Sequence, residues 1–396
     1  MLGISVWGLA LGQALLITGN ILLVSVTALI GHKLSPSLSL ATLPIALQFL
    51  GLMGVTLPAA LLMRRLGRKR VFLIGNLVGV GGAFLAYYAL SISNFELFSG
   101  ATFLLGIAIG VGQQYRFAAI DNCPEGKAPQ AISLIMAGGI LAAFLGPNLA
   151  VWAEFLVPDT QYIGAFAALI LLYIATTILV ALLPLKKPTL AEQTGTPRSY
   201  LELLSQPDLI ASVIAGVIGY GVMVLVMTAT PLAMLGCGFD FGSTASVIQW
   251  HVLGMFVPSL FTGKLINRFG TSKVIQSGCL FLLGCLILNQ FGTSYWHFFF
   301  ALVLLGVGWN FTFIGATNLL SKTYQPSDKA KVQGLNDFLV FAFAAIASML
   351  AGYWQSALGW EVLNLLMIPA VIIAMACVFF STKKSQRMKQ DAGLEF

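Results

Sequence analysis

The sequence predicts an all-α integral membrane protein: twelve transmembrane helices in two six-helix bundles, with both termini in the cytoplasm. Three observations carry that expectation. First, 58% of the 396 residues are hydrophobic and only 9% are charged, against about 25% charged in a soluble domain. A water-soluble globule of this size cannot hide so much apolar side chain, because its accessible surface falls too slowly with size. Second, the apolar residues gather in twelve runs long enough to cross a hydrocarbon core of ~30 Å as helix. Third, the chain reads as a duplication. The basic turn Met63-Arg64-Arg65-Leu66-Gly67-Arg68-Lys69-Arg70 has an echo at Asn267-Arg268-Phe269-Gly270-Thr271-Ser272-Lys273. One offset, 270 − 67 = 203 residues, also carries Gly51 onto Gly254, Leu57 onto Leu260, Leu62 onto Leu265, Arg65 onto Arg268 and Val71 onto Val274.

The twelve runs are 4–30, 39–63, 71–91, 97–119, 129–153, 162–184, 209–235, 243–266, 274–291, 297–320, 331–356 and 362–381. Their length and continuity exclude barrel strands, which alternate over about 10 residues. No basic segment precedes span 1, and the run is too long for the apolar part of a signal peptide, so it reads as a retained first helix. Short connectors join the spans, except at 185–208. This polar linker separates an N-terminal bundle, 1–184, from a C-terminal bundle, 209–381. Within it, Arg198-Ser199-Tyr200-Leu201-Glu202-Leu203-Leu204 reads either as a short interfacial helix or as solvated linker. Residues 382–396 read as a disordered cytoplasmic tail.

The net charge of +7 points to the membrane surface, not to nucleic acid, because of where the charges fall. Of the 21 Lys and Arg residues, all but Lys33 lie in or beside alternate connectors, the long linker or the tail. That is the distribution of cytoplasmic loops, placed to meet anionic lipid headgroups. The five cysteines, Cys123, Cys237, Cys279, Cys285 and Cys377, have no paired spacing, and four fall in or beside apolar runs. They indicate no disulfide framework, metal site or cofactor. The chain has no phosphate-binding Walker loop, no Ser/His/Asp constellation and no H-x-x-x-H pair, so an enzyme is not expected. Nothing suggests a selectivity filter or an oligomeric pore, and a monomer is expected.

Six helices, a long linker, six helices and a repeated basic turn after the second helix of each half resemble the major facilitator superfamily. The resemblance covers the whole chain. Members carry G-x-x-x-D-R-x-G-R-[RK] between helices 2 and 3. Here that register holds Ala60, Arg64, Arg65, Gly67, Arg68 and Lys69, so the Gly is Ala and the Asp is Arg. In the second half it holds Gly263, Asn267, Arg268 and Gly270. The resemblance implies substrate binding at the midplane between two six-helix halves. It also implies a cytoplasmic gate at the turns, involving Arg65, Gly67, Arg68, Arg268 and Gly270. The glycines permit a left-handed helix end. The alternative is that the arginines only anchor topology. With no acid at position 64, Asp121 is the nearest partner for Arg65 or Arg68.

Polar groups inside spans are costly and mark candidate sites. Gln13, Asn20 and Thr27 recur every seven residues on span 1, which puts them on one stripe. The stripe either lines the cavity or binds span 1 to its neighbours. The family's cavity is lined mainly by spans 1, 4, 7 and 10. Span 4 ends in Gln113-Gln114-Tyr115-Arg116, followed by Asp121. Arg116 either grips an anionic substrate group, or snorkels or pairs with Asp121. Span 7 offers Tyr220, Met223 and Met227 on one face, as packing or as an adaptable apolar wall. Span 10 offers Trp309, Asn310 and Thr312, where the indole suits a planar ligand. His251, ~13 Å deep in span 8, is either a proton-coupling group or interhelical glue. Asp337, ~9 Å deep in span 11, is the first candidate for proton coupling. Its rival reading is a salt bridge to Lys331 or another neighbour. Glu96 and Glu154 sit at outer edges, solvated. Gly146-Pro147 in span 5 retains only the centre of an exporter-type motif.

Together these features lead to the expectation of a secondary transporter in the cell membrane. It would move a small organic solute by alternating access, coupled to protons. A multidrug efflux antiporter and a non-transporting receptor of the same fold are the alternatives.

Overall fold

The computed structural model describes residues 2–35, 43–153, 162–190 and 195–391. Glu154 and the Pro147 side chain lie outside the described residues. The helices are α1 Ile4–Leu34, α2 Leu43–Leu66, α3 Arg68–Ser91, α4 Phe95–Gly112, α5 Tyr115–Asn122, α6 Ala128–Ala153 and α7 Ile163–Leu182. They continue with the short α8 Tyr200–Leu204, then α9 Pro207–Gly236, α10 Phe241–Phe256, α11 Ser259–Phe269, α12 Thr271–Leu288, α13 Tyr295–Leu320 and α14 Lys329–Asp391. Among the described residues there is no strand. Among these residues, eleven helical segments are long and apolar enough to cross a membrane. They become twelve if α10 and α11, bent by 40°, form one span.

Departures from the expected spans have local causes. Span 4 is interrupted at Gln113-Gln114, which separates α4 from α5. Span 8 breaks at Val257-Pro258, because proline lacks the N–H that would continue the helix. Asn310 of α13 occupies this break. Its Nδ2 donates to the Met255 carbonyl and to Ser259 Oγ, each at 2.6 Å, and its Oδ1 accepts from Thr262 Oγ1 at 2.7 Å. Spans 11 and 12 form one helical run, broken only by Gly359 at φ +81 and ψ 172. The tail is helical as far as Asp391, which corrects the expectation of disorder from 382. Residues 382–391 contain neither glycine nor proline, so nothing in them stops the helix.

The linker holds a real helix. Ser199 caps α8 and Glu202 reaches back to the Ser199 backbone, a reciprocal capping box that satisfies two otherwise open donors. Just before it, Arg198 binds Asp328 through its backbone N–H and its Nε, both at 2.7 Å. Its Nη2 donates to the Thr323 carbonyl at 3.1 Å. Burial pushes the Asp328 carboxyl up, but the Arg198 N–H groups and charge outweigh it and hold the carboxyl below its ordinary range. A carboxyl lowered in the folded state adds stability above its unfolded pKa of about 3.9. That stability is lost as pH falls through the folded value. Asp328→Asn is therefore expected to melt lower than wild type at pH 7 and to lose less on acidification. A series of melting temperatures from neutral to acid pH checks both; parallel curves would refute it.

The chain divides into two compact units: Met1–Gly195 with Ala330–Phe338, and Thr196–Lys329 with Leu339–Phe396. The boundary thus falls inside the linker, and the first turns of α14 count with the first unit. The duplication is visible inside each unit. In the first, α2 crosses α4 so closely that a Cβ on Gly51 would meet the Phe103 carbonyl, and one on Gly106 the Gln48 carbonyl. In the second, α10 crosses α13 the same way: a Cβ on Gly254 would meet the Val303 carbonyl, and one on Gly306 the His251 carbonyl. Gly51 and Gln48 map onto Gly254 and His251 by the same 203-residue offset, 251 − 48.

The two basic turns match in backbone. Gly67 has φ +86 and ψ 155; Gly270 has φ +89 and ψ 153. These are not left-handed helical angles, as expected from sequence, but extended ones of positive φ, which are nearly confined to glycine. Gly67→Ala and Gly270→Ala are each expected to cost about 1–3 kcal/mol. Gly67→Ala should cost more, because its Cβ would also lie 3.0 Å from Pro188 Cδ. Melting temperatures in detergent check this, and a neutral Gly270→Ala would count against it.

Candidate functional site

Each unit holds one constellation of the residues singled out in the sequence. In the first unit it is polar and centres on Asp337. The break at Gln113-Gln114 starts α5 afresh and turns Arg116 inward. Its Nη2 pairs with Asp337 Oδ1, and the two side chains are 1% and 0% exposed. Gln114 Nε2 donates to the other carboxylate oxygen at 2.8 Å, and Asn336 Nδ2 donates to Oδ1 at 3.0 Å. Arg116 Nη1 donates to the Gln113 carbonyl at 3.1 Å and to Gln113 Oε1 at 3.4 Å. Its guanidinium also lies 4.6 Å from the centroid of the Phe117 ring, a cation–π contact. Gln114 Oε1 is buried without a partner.

One turn before Asp337 on α14, Gln333 Oε1 accepts from Arg68 Nη2 at 2.8 Å. Arg68 Nε donates to Asp121 Oδ2 at 2.6 Å. Residues four apart share a helix face, so one face of α14 receives a guanidinium at two levels. Gly334, between them, lies so close to α2 that a Cβ would stand 2.9 Å from a Leu57 methyl and 3.0 Å from Ala60 Cβ.

These contacts choose among the expected partners. The acid at Asp121 goes to Arg68, while Arg65 is exposed. Asp337 takes Arg116 as its ionic partner, in place of Lys331. Arg268 and Gly270 are exposed, and Arg268 lies over its neighbour Phe269 at 5.2 Å. On α1, Gln13 is buried, and Asn20 is half-buried and accepts from Gln48 Nε2 at 3.1 Å. Thr27 is spent on its own helix, donating to the Leu23 carbonyl at 2.6 Å.

In the second unit the constellation is aromatic. Tyr220 of α9 meets Trp309 and Phe313 of α13 and Phe341 of α14, with ring centroids 5.7, 5.4 and 5.5 Å away. Met223, one turn from Tyr220, is buried. Asn310 was expected to line the cavity, but it is buried and its carboxamide is taken up by the break between α10 and α11. His251 is buried on α10, with Nδ1 2.8 Å from the Leu302 carbonyl and Nε2 without a partner.

Sequence reading missed Gln333, Phe313 and Phe341. The first two carried a signal, standing four residues from Asp337 and from Trp309. Phe341 carried none beyond its apolar character.

The whole-chain comparisons agree with the fold. The model of the Major Facilitator Superfamily matches residues 9–270 and 220–395. The chain belongs to that superfamily. It is a multi-pass membrane transporter rather than an enzyme. It is 39% identical over 379 residues to the riboflavin transporter RfnT of Brucella anthropi, an alignment covering 95% of each protein. It is 31% identical over 372 residues to the MFS-type transporter YdeG of Bacillus subtilis, covering 88% of this chain and 86% of that one. Among solved structures, the transporter FucP in the outward conformation superposes with a TM-score of 0.78 at 16% identity, over 96% of this chain and 98% of that one. The human organic anion transporter MFSD10 does so with 0.73 at 14% identity, over 94% and 98%. At such identities the likeness is one of fold alone.

Proposed function

We propose that this transporter moves riboflavin, or a flavin with the same ring system, and that Asp337 couples the movement to protons. The observation that carries the substrate is the likeness to RfnT, which extends over nearly the full length of both chains. Coupling is supported by the geometry around Asp337. A carboxylate fully buried against a guanidinium is stable only while both are charged and paired. A proton on Asp337 removes its charge and frees Arg116 Nη2. In alternating access, coupling follows if that proton is taken up and released as the two access states exchange. The Arg68–Asp121–Gln333 group is proposed as the cytoplasmic gate, on the positive-inside orientation of the chain.

The test is transport of radiolabelled riboflavin by purified protein in proteoliposomes, with and without a pH gradient. Riboflavin movement that responds to the gradient is expected. No riboflavin movement in either direction would reject the substrate. Movement indifferent to the gradient would reject the coupling and leave the substrate standing.

A further inference from the structure

The geometry points to the aromatic cluster of the second unit as the subsite for the flat ring of the ligand, with the Trp309 indole N–H donating to a ring carbonyl. This rests on the reading above that the ligand is a flavin. Trp309 and Phe313, one turn apart on α13, lie nearly parallel, with centroids 5.1 Å apart and planes 12° apart. Tyr220 stands edge-on to both, its plane 68° from the indole and 62° from Phe313. Phe341 closes the group edge-on to Tyr220, at 86°. Phe256 abuts the indole from α10, centroids 5.9 Å apart. Gly219 lets α9 come close enough for this, since a Cβ there would run into the Thr312 side chain.

Two observations separate the cluster from ordinary core. Trp309, Phe313 and Phe341 are buried, whereas Tyr220 is only half-buried. Tyr220 therefore covers the other rings as the outermost member. In addition, Trp309 Nε1 is buried and has no acceptor. A buried indole N–H normally finds a partner, and leaving it unmade costs free energy that a phenylalanine at this position would not incur. A ligand carbonyl reaching Nε1 removes that cost. The isoalloxazine ring of a flavin supplies what the cluster lacks. It has a flat π face for the Trp309–Phe313 pair and carbonyl oxygens on its pyrimidine edge. When it arrives, Tyr220 turns from its edge-on position and covers the outer face of the bound ring. Aromatic side chains hold flat heterocycles by such stacking without regard to the rest of the molecule. The ribityl chain accordingly lies outside this subsite.

The experiment titrates the purified full-length protein in detergent with riboflavin and with lumiflavin, which keeps the ring and lacks the ribityl chain. Flavin fluorescence is read, because stacking on Trp or Tyr quenches it. Both ligands are expected to bind with affinities within about 5-fold of each other and to be quenched. Trp309→Phe keeps the stack and removes the N–H; it should weaken both by about 5- to 10-fold. Tyr220→Leu, at the half-buried position least exposed to folding failure, should relieve part of the quenching and weaken both ligands. Riboflavin bound by both variants with wild-type affinity and wild-type quenching overturns the subsite and leaves the flavin reading intact. Lumiflavin failing to bind while riboflavin binds also overturns it. If wild-type protein binds neither flavin, the flavin reading fails, and this assignment with it.

Discussion

Removing either partner of the Arg116–Asp337 pair alone is expected to cost about 3–5 kcal/mol of stability, and removing both together far less. The reason is desolvation. The two side chains are 1% and 0% exposed, so neither charge has water to fall back on. Asp337→Ala leaves a buried guanidinium without its carboxylate, still donating to Gln113. Arg116→Ala leaves a carboxylate with the Gln114 and Asn336 amides but without its paired guanidinium. The double variant Arg116→Met/Asp337→Leu replaces both charges with apolar groups of similar bulk, which is often neutral or stabilising. Melting temperatures of the three variants in one detergent check the cycle. Transport separates structure from function: the double variant is expected to be folded and inactive. A double variant whose transport still responded to a pH gradient as wild type does would make the pair a packing device. Asp337→Asn adds a finer readout. It should lose the response to a pH gradient yet exchange substrate across the membrane, provided it folds. Gradient-driven transport at the wild-type level would remove Asp337 from the coupling. Arg116→Lys tests the other partner, since an ammonium cannot reproduce the fork of the guanidinium.

Gly106→Ala and Gly306→Ala are expected to lose about 1–3 kcal/mol each, the range for overpacking a close contact. In both cases the new Cβ meets backbone, the Gln48 carbonyl in one and the His251 carbonyl in the other. Backbone inside a helix cannot rotate aside as a side chain can, so the helices themselves must part. That separation would also disturb what the crossings hold in place: Gln48 against Asn20, and His251 against the Leu302 carbonyl. Valine at either site should prevent folding, seen as loss of the monodisperse peak in size-exclusion chromatography. Gly100 is the control, because a Cβ there meets nothing within 4 Å. Gly100→Ala is expected to be neutral or stabilising by up to about 1 kcal/mol, the helix-propensity gain. Equal melting temperatures for Gly100→Ala and Gly306→Ala would show that the crossing tolerates a methyl group.

The spans were legible because the bilayer forces a long apolar run at each crossing, and the duplication because two basic turns kept their spacing. Gly67 and Gly270 were recognisable as turn glycines from sequence, but their φ and ψ were not. The break within span 4 was weakly signalled: glutamine is a good helix former, and only Gly110 and Gly112 just before it lower the helix propensity. The break in span 8 had its proline in view, but not the Asn310 carboxamide that occupies it. Arg116 and Asp337 were each visible as costly residues inside spans, yet they lie 221 residues apart. Nothing in a linear pattern pairs them.

Amino-acid composition, periodicity and charge placement by themselves determined that this chain is a helical, duplicated membrane protein and which of its polar residues are out of place in lipid. Those are properties of single segments in a solvent, and each segment reports them alone. The tertiary structure decided which of those residues satisfy one another: Arg68 with Asp121 and Gln333, Arg116 with Asp337, Tyr220 with Trp309, Phe313 and Phe341. A buried charge or N–H must find its partner within about 3 Å, and only the packing of distant helices determines what stands there.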